Sequence, residues 1–165
     1  MKLETLNQLP ESEFLREIGG PLEGEIWLAA RVTAQRPFPD AQALIAAFKA
    51  VMQVATPDEK IRLMQSHPPL AVAQAMSTTS IKEQSSAGLN QLTPEEFTEF
   101  RQLNDSYSAR FGFPFVICVR EHTKDSILTH FRQRLTHTLE QEIENGAVEV
   151  FKILRLRLLD LLNVE

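Results

Sequence analysis

Three short polar stretches of this chain hold the side chains that could do chemistry. The first is Ser66-His67-Pro68-Pro69-Leu70, the second Thr79-Ser80-Ile81-Lys82-Glu83-Gln84, and the third the run from Phe113 to Arg120. Between them they supply an imidazole, a hydroxyl, a carboxylate, an amide and a guanidinium, the groups a small-molecule active site uses. His67 is followed directly by two prolines, which stiffen the backbone and preclude a helix there. An imidazole on a rigid loop suits a proton donor, because its orientation is fixed and its titration range is near neutrality. The same His-Pro step also serves simply to stop a helix.

Ser80, Glu83 and Gln84 follow the spacing i, i+3, i+4, which on a helix puts all three on one face. Ser80-x-x-Glu83 is equally a capping box. The two readings are compatible, since a helix N-terminus also offers free N–H groups to an anion. Gln84 is not needed for the cap. Arg120 ends the apolar run Phe115, Val116, Ile117, Cys118 and Val119, so its guanidinium emerges at the edge of the core. Leu154, Arg157, Leu158 and Leu161 share helical spacing, which turns Arg157 to the core side and Arg155 away. An inward arginine must either snorkel or find an acidic or ligand partner. His122, His130 and His137 acquire no role.

Helices have to position these groups. Phe14, Leu15 and Ile18 open an amphipathic pattern that Gly19-Gly20 ends. A second helix is predicted over residues 24–33, with Ile26, Ala30 and Thr33 on one face, and Pro37-Phe38-Pro39 limits it. Asp40 is an N-cap for a segment carrying Leu44, Phe48, Val51 and Met52. Thr56-Pro57-Asp58-Glu59 opens a helix to about Gln65, with Ile61 and Met64 inward, that delivers His67 just past its end. Thr93-Pro94-Glu95-Glu96 repeats the signal for a helix with Phe97, Phe100, Asn104, Tyr107 and Phe111 in one stripe, stopped at Gly112. A later helix carries Ile127, Leu128, Phe131, Leu135 and Leu139. The last carries Ile143, Ala147, Val150, Leu154, Leu158 and Leu161, with Gly146 a modest cost in its interior. Only residues 113–119 read as extended, because Pro114 pushes Phe113 out of the helical region. The expected fold is all-α, a single domain over residues 1–165.

Composition narrows the function. The 165 residues are 43% hydrophobic and 24% charged, which suits one globular core rather than a disordered chain. The net charge of −5 comes without a clustered basic face, which argues against nucleic acid as a partner. The single Cys118 cannot form an internal disulfide, and no Cys/His spacing suits zinc, so a reducing, cytoplasmic setting is expected. The first residues lack a signal-peptide core, the last are not a Ser-Lys-Leu address, and no apolar run is long enough for a membrane. There is no Gly-rich phosphate loop, nucleophile elbow or metal cluster, so an enzyme built this way would need no bound cofactor.

Several longer strings are more specific than any of these features alone. They include Glu23-Gly24-Glu25-Ile26-Trp27, Arg36-Pro37-Phe38, His67-Pro68 and Ser80-x-x-Glu83-Gln84-x-x-Ala87-Gly88-Leu89. They continue with Leu92-Thr93-Pro94-Glu95-Glu96-Phe97, Asn104-x-x-Tyr107, Arg110 through Arg120, and Ile153-x-Arg155-Leu156-Arg157-Leu158. Together they resemble the 2-oxo-4-hydroxy-4-carboxy-5-ureidoimidazoline (OHCU) decarboxylase family of urate degradation, over nearly the whole chain. The resemblance implies an all-helical domain, usually a homodimer, that converts OHCU to (S)-allantoin and CO2 without metal or organic cofactor. By carry-over, His67 is the catalytic histidine and Glu83 the acidic residue beside the leaving carboxylate. Pro68, Ser80 and Gln84 match ligand-binding positions. Phe115, Val116, Ile117 and Val119 would offer main-chain hydrogen bonds to the ring or ureido group. Arg157 would hold a carbonyl or carboxylate, with Arg120 as the other arginine. The sequence departs from the family's His-Pro-Asp-Leu-Ala-Gly in having Pro69 for the aspartate and Val72 for the glycine. A non-catalytic helical binding module, or the same pocket with another imidazoline or ureido substrate, are the competing expectations.

Overall fold

The computed structural model describes residues 1–71 and 77–164, so the Val72 departure lies outside the described residues. All regular secondary structure among them is helical. In order it comprises α1 Leu3–Gln8, α2 Glu11–Gly19, α3 Ile26–Thr33, α4 Ala41–Gln53, α5 Pro57–Gln65, α6 Thr78–Ser86 and α7 Pro94–Phe111. A 3-10 turn at Val119–Glu121 precedes α8 Lys124–Arg134 and α9 Leu139–Leu162. The chain forms two compact units. One is Met1–Glu59 with Phe151–Glu165, the other Lys60–Val150.

In the first unit α3 packs against both α2 and α4. Phe14, Ile18, Leu28, Val32, Leu44 and Phe48 are fully buried there. The Asp40 carboxylate caps α4 by accepting from Ala43 N at 2.8 Å, as its position before the apolar pattern predicts. Thr56 and Glu59 form the expected reciprocal box at the start of α5. The predicted face of α3 is corrected. Leu28, Ala29 and Val32 are buried, whereas Ile26 and Ala30 are exposed. The face buried is the one that packs against α2 and α4; upstream, Glu23 and Gly24 both take positive φ, and the helix starts at Ile26 instead of residue 24. Gly20, by contrast, stays right-handed at the end of α2.

The second unit has an aromatic core. Phe115 and Phe131 stack with centroids 3.9 Å apart, and Tyr107 meets Phe113, Phe115 and Phe131 edge-on. The α7 stripe holds for Phe100, Tyr107 and Phe111; Phe97, in the first turn, is exposed. Gly112 ends α7 in the left-handed conformation, at φ 80°. The predicted run from Ile127 to Leu139 is two helices. Leu135 caps α8, and Thr138 and Gln141 exchange hydrogen bonds that open α9, leaving Leu139 exposed. Residues 113–118 form an irregular buried passage rather than a strand, and Val119 belongs to the 3-10 turn.

Gly146 has a packing reason to be inside α9. A Cβ there would stand 1.9 Å from the Sδ and 3.1 Å from the Cγ of the fully buried Met64. Gly146→Ala is expected to lower unfolding free energy by about 1 kcal/mol. Overpacking costs about 1–3 kcal/mol, and alanine's helix propensity returns about 0.8–1 kcal/mol. Urea denaturation measures it; a midpoint at or above that of the wild type would mean that Met64 swings aside at no cost.

Candidate functional site

His67 sits where the sequence places it, two residues past the end of α5. Its backbone N–H donates to Met64 O at 3.1 Å, and the Ser66 hydroxyl to Leu63 O at 2.7 Å, so the helix end is satisfied locally. The loop that follows is held from two helices. Gln84 of α6 accepts from Ala71 N at 3.1 Å through Oε1 and donates to Pro69 O at 3.4 Å through Nε2. Asn104 of α7 donates to Leu70 O at 2.8 Å. Ala71 takes a left-handed φ of 54°, an unfavourable conformation for a residue with a Cβ. Three consecutive residues, 69, 70 and 71, are thus pinned by two amide side chains, and Leu70 is buried beneath them. Pro69 lies within this loop.

The capping reading of Ser80 is corrected. The N-cap of α6 is Ser77, whose hydroxyl accepts from Ser80 N at 3.1 Å and lies 3.0 Å from Ser80 Oγ. Ser80 is therefore inside the first turn. Ser80 and Gln84 are both buried, Glu83 is half-buried, and Ile81 and Lys82 face out. The face predicted from i, i+3, i+4 spacing exists. Gln84, on that face, reaches the His67 loop, and α6 also packs against the 3-10 turn that carries Val119 and Arg120. The structure thus brings the three polar stretches together.

The passage before that turn is unusual in its hydrogen bonding. The side chains of Phe115, Val116, Ile117, Cys118 and Val119 are all buried. Among the described residues, the N–H groups of residues 115–118 donate to no main-chain acceptor. The Val116 carbonyl, in contrast, accepts from Arg134 Nη1 at 2.7 Å. Arg120 is exposed on the 3-10 turn.

Arg157 is buried and faces inward as its spacing requires. It has an acidic partner, Glu23 Oε1 at 3.0 Å, and also donates to Pro21 O at 3.3 Å. It belongs to the first unit, while His67, Pro68, Ser80, Glu83, Gln84 and residues 115–120 belong to the second.

Cys118 lies among these residues, and burial pushes its thiol up to about 11, with the charges of Glu121, Glu149 and Glu83 adding to the shift. Since the thiolate is the nucleophile, Cys118 should be inert. Native protein at pH 8 is expected to show no fast reaction with a thiol reagent and one equivalent after denaturation. Fast native labelling would contradict this placement.

Sequence reasoning missed a buried cluster beside the passage. Glu142 is fully buried and accepts from Tyr107 Oη at 2.5 Å, Arg134 Nε at 2.8 Å and Asn145 Nδ2 at 2.8 Å, with His137 Nδ1 at 3.0 Å. Burial alone would raise the Glu142 pKa, but the bonds from Tyr107 and Asn145 and the Arg134 charge bring it below the ordinary value. Tyr107 is pushed up and stays a neutral donor, by burial first and by Glu142 second.

An open cleft of about 380 Å³ lies elsewhere in this unit, lined by residues including Ser86, Gln91, His122 and Lys124. None of the predicted residues lines it. Of its polar groups, Lys124 pairs with Glu96 and His122 with Ser126. No group of three or more His, Cys, Asp or Glu among the described residues is arranged to hold a metal ion.

The loop after His67 is thus tied to the polar face of α6, and α6 packs against the 3-10 turn that ends the buried passage, all within a helical unit. The chain matches the family described as OHCU decarboxylase over residues 7–159 and belongs to that family. It is 36% identical to the 2-oxo-4-hydroxy-4-carboxy-5-ureidoimidazoline decarboxylase of Amia calva, over 98% of this chain and 95% of that protein. It is 35% identical to the uric acid degradation bifunctional protein of Bacillus sp. (strain TB-90), over 96% of this chain and 32% of that protein. The chain thus spans about a third of the length of that bifunctional relative. The crystal structure of (S)-allantoin synthase matches with a TM-score of 0.79 at 28% identity, covering 98% of this chain and 54% of that one.

Proposed function

We propose that the protein decarboxylates OHCU to (S)-allantoin and CO2 without a bound cofactor. The observation that carries the reading is the Gln84 amide, which joins the His67 loop to the helix of Ser80 and Glu83. This link between two stretches that match the family supports the reading.

The substrate's own structure accounts for the chemistry. One ring carbon carries both the hydroxyl and the carboxylate, and it adjoins the C=N carbon that bears the ureido group. When the C–CO2 bond breaks, its electron pair forms a C=C bond and the imine nitrogen takes up a proton. The hydroxyl then gives up its proton to become a carbonyl, and the ureido-bearing carbon gains one, on one face. The protein must hold the carboxylate out of the ring plane and control those protons. In this reading Glu83 lies beside the carboxylate and hydroxyl, disfavouring the charged ground state. His67 polarises the hydroxyl or supplies the proton that sets the S configuration. Ser80, Pro68 and Gln84 shape the ring site, and the N–H groups of residues 115–119 bind the ring or ureido oxygens. Arg120, on the turn packed against α6, and Arg157, on the family pattern alone, are the guanidinium groups for a carbonyl or carboxylate. A homodimer and a cytoplasmic setting complete the proposal; light scattering on the purified protein reads the first.

The deciding experiment follows freshly generated OHCU by circular dichroism. Expected is faster loss than the spontaneous reaction, with a product enriched in the S form. A racemic product at the background rate would end the decarboxylase reading and favour a binding module. Turnover confined to other imidazolines or ureido compounds would move the proposal to a different substrate.

A further inference from the structure

We propose that Arg134 is a positioning residue for this site: it holds the main chain of residues 115–119 in the conformation that keeps their N–H groups available to a ligand, with Glu142 as its anchor. The inference rests on the reading above for what the site binds.

Residues 113–118 have no helical or ladder hydrogen bonds to fix them. Burial of their side chains sets their depth but does little to set the direction of the peptide groups. Arg134 grips the passage in two ways. Its Nη1 donates to Val116 O at 2.7 Å, and its guanidinium lies 4.4 Å from the centroid of the Phe115 ring. The guanidinium is itself held by Glu142 Oε1 on Nε at 2.8 Å. Glu142 is fixed in turn by Tyr107, His137 and Asn145, from α7, the α8–α9 connection and α9. One end of this chain is a rigid buried carboxylate, and the other is a carbonyl in the middle of the candidate substrate-binding passage.

Stability alone is a poor account of the arrangement. A buried ion pair of this kind, with Arg134 6% and Glu142 0% exposed, gains little over well-packed apolar side chains of the same volume. An apolar side chain at position 134 could fill the space, but it could not hold a peptide carbonyl. Only a planar donor with several N–H groups can bind Glu142 and Val116 O at once.

The test is Arg134→Lys, which keeps a positive charge near Glu142 but cannot span both acceptors. Hydrogen exchange at the amides of residues 115–118 is expected to quicken about tenfold or more relative to the rest of the core. The KM for OHCU should rise about tenfold, with kcat changing less. Leu44→Ala, a core truncation in the other unit that lowers Tm, should keep the wild-type KM. Unchanged exchange overturns the proposal, as does a folded Arg134→Lys with wild-type KM, or a KM rise that Leu44→Ala reproduces. A wild type that does not accelerate OHCU loss sinks the decarboxylase reading instead, and the exchange measurement then decides the positioning role. Should Arg134→Lys be too unstable to purify, Glu142→Gln, which keeps an acceptor for Nε but not the charge, is expected to move exchange and KM in the same direction. Unchanged values there overturn the proposal equally.

Discussion

His67→Ala is expected to lower kcat for OHCU decarboxylation by about 10²–10⁴-fold, the usual contribution of a positioned acid or base, and to leave KM within a few-fold. The asymmetry follows from the site. Binding is assigned to α6 and to the amides of residues 115–119, whereas the proton steps are assigned to one imidazole. The loop that carries it stays anchored in the variant, because Gln84 and Asn104 hold residues 69, 70 and 71 and not residue 67. Melting temperature should therefore move little. His67→Asn is the informative companion, since it keeps a polar group of similar reach but cannot exchange a proton near neutrality. Both variants should also lose the S excess of the product, as any residual turnover would be protonated from solvent. A kcat within threefold of the wild type, with the S excess kept, would remove His67 from the chemistry.

The parts of this architecture that could be read from the sequence are those decided within a few residues. Asp40, Thr56 and Thr93 cap the helices they precede because a cap needs only a side chain and an N–H three positions on. The inward turn of Arg157 and the shared face of Ser80 and Gln84 follow from helical spacing alone. Errors arose where two local signals competed. Leu135 and Leu139 continue the apolar spacing of α8, yet Thr138 and Gln141 open a new helix between them. Ser77 and Ser80 both offer a cap to α6, and Ser77 takes it. What could not be read is what forms across the chain. Gln84 reads as a ligand amide, but its partners at residues 69 and 71 depend on how the loop folds back. Glu23, the partner of Arg157, is 134 residues away from it. Tyr107, Arg134, His137 and Glu142 come together only in the fold, and three of them look like ordinary solvent-facing positions in a polar pattern.

That buried cluster gives the largest expected effect on stability. Glu142→Ala should cost about 3–5 kcal/mol, because it leaves the Arg134 charge buried without its partner, and it also strips Tyr107 Oη and Asn145 Nδ2 of an acceptor. Against a total of about 5–15 kcal/mol for a native domain, a loss of that size brings the protein close to unfolding at moderate temperature. Replacing both ions, as in Arg134→Met with Glu142→Leu, should restore most of the stability, since no charge is left uncompensated. By the inference above it should not restore KM, which separates what holds the fold from what orients the site. The pH dependence has a definite sign. The Glu142 carboxyl titrates below its ordinary value in the folded protein, so its contribution is fully present above the unfolded value of 4.5. It is lost as the pH falls through the lower folded value. The stability gap between wild type and Glu142→Ala, measured by urea denaturation, is therefore wide at neutral pH and narrows in acid below that point. A gap that stayed constant into strong acid would mean that the Glu142 charge contributes nothing, and that its hydrogen bonds alone hold Tyr107 and Arg134 in place.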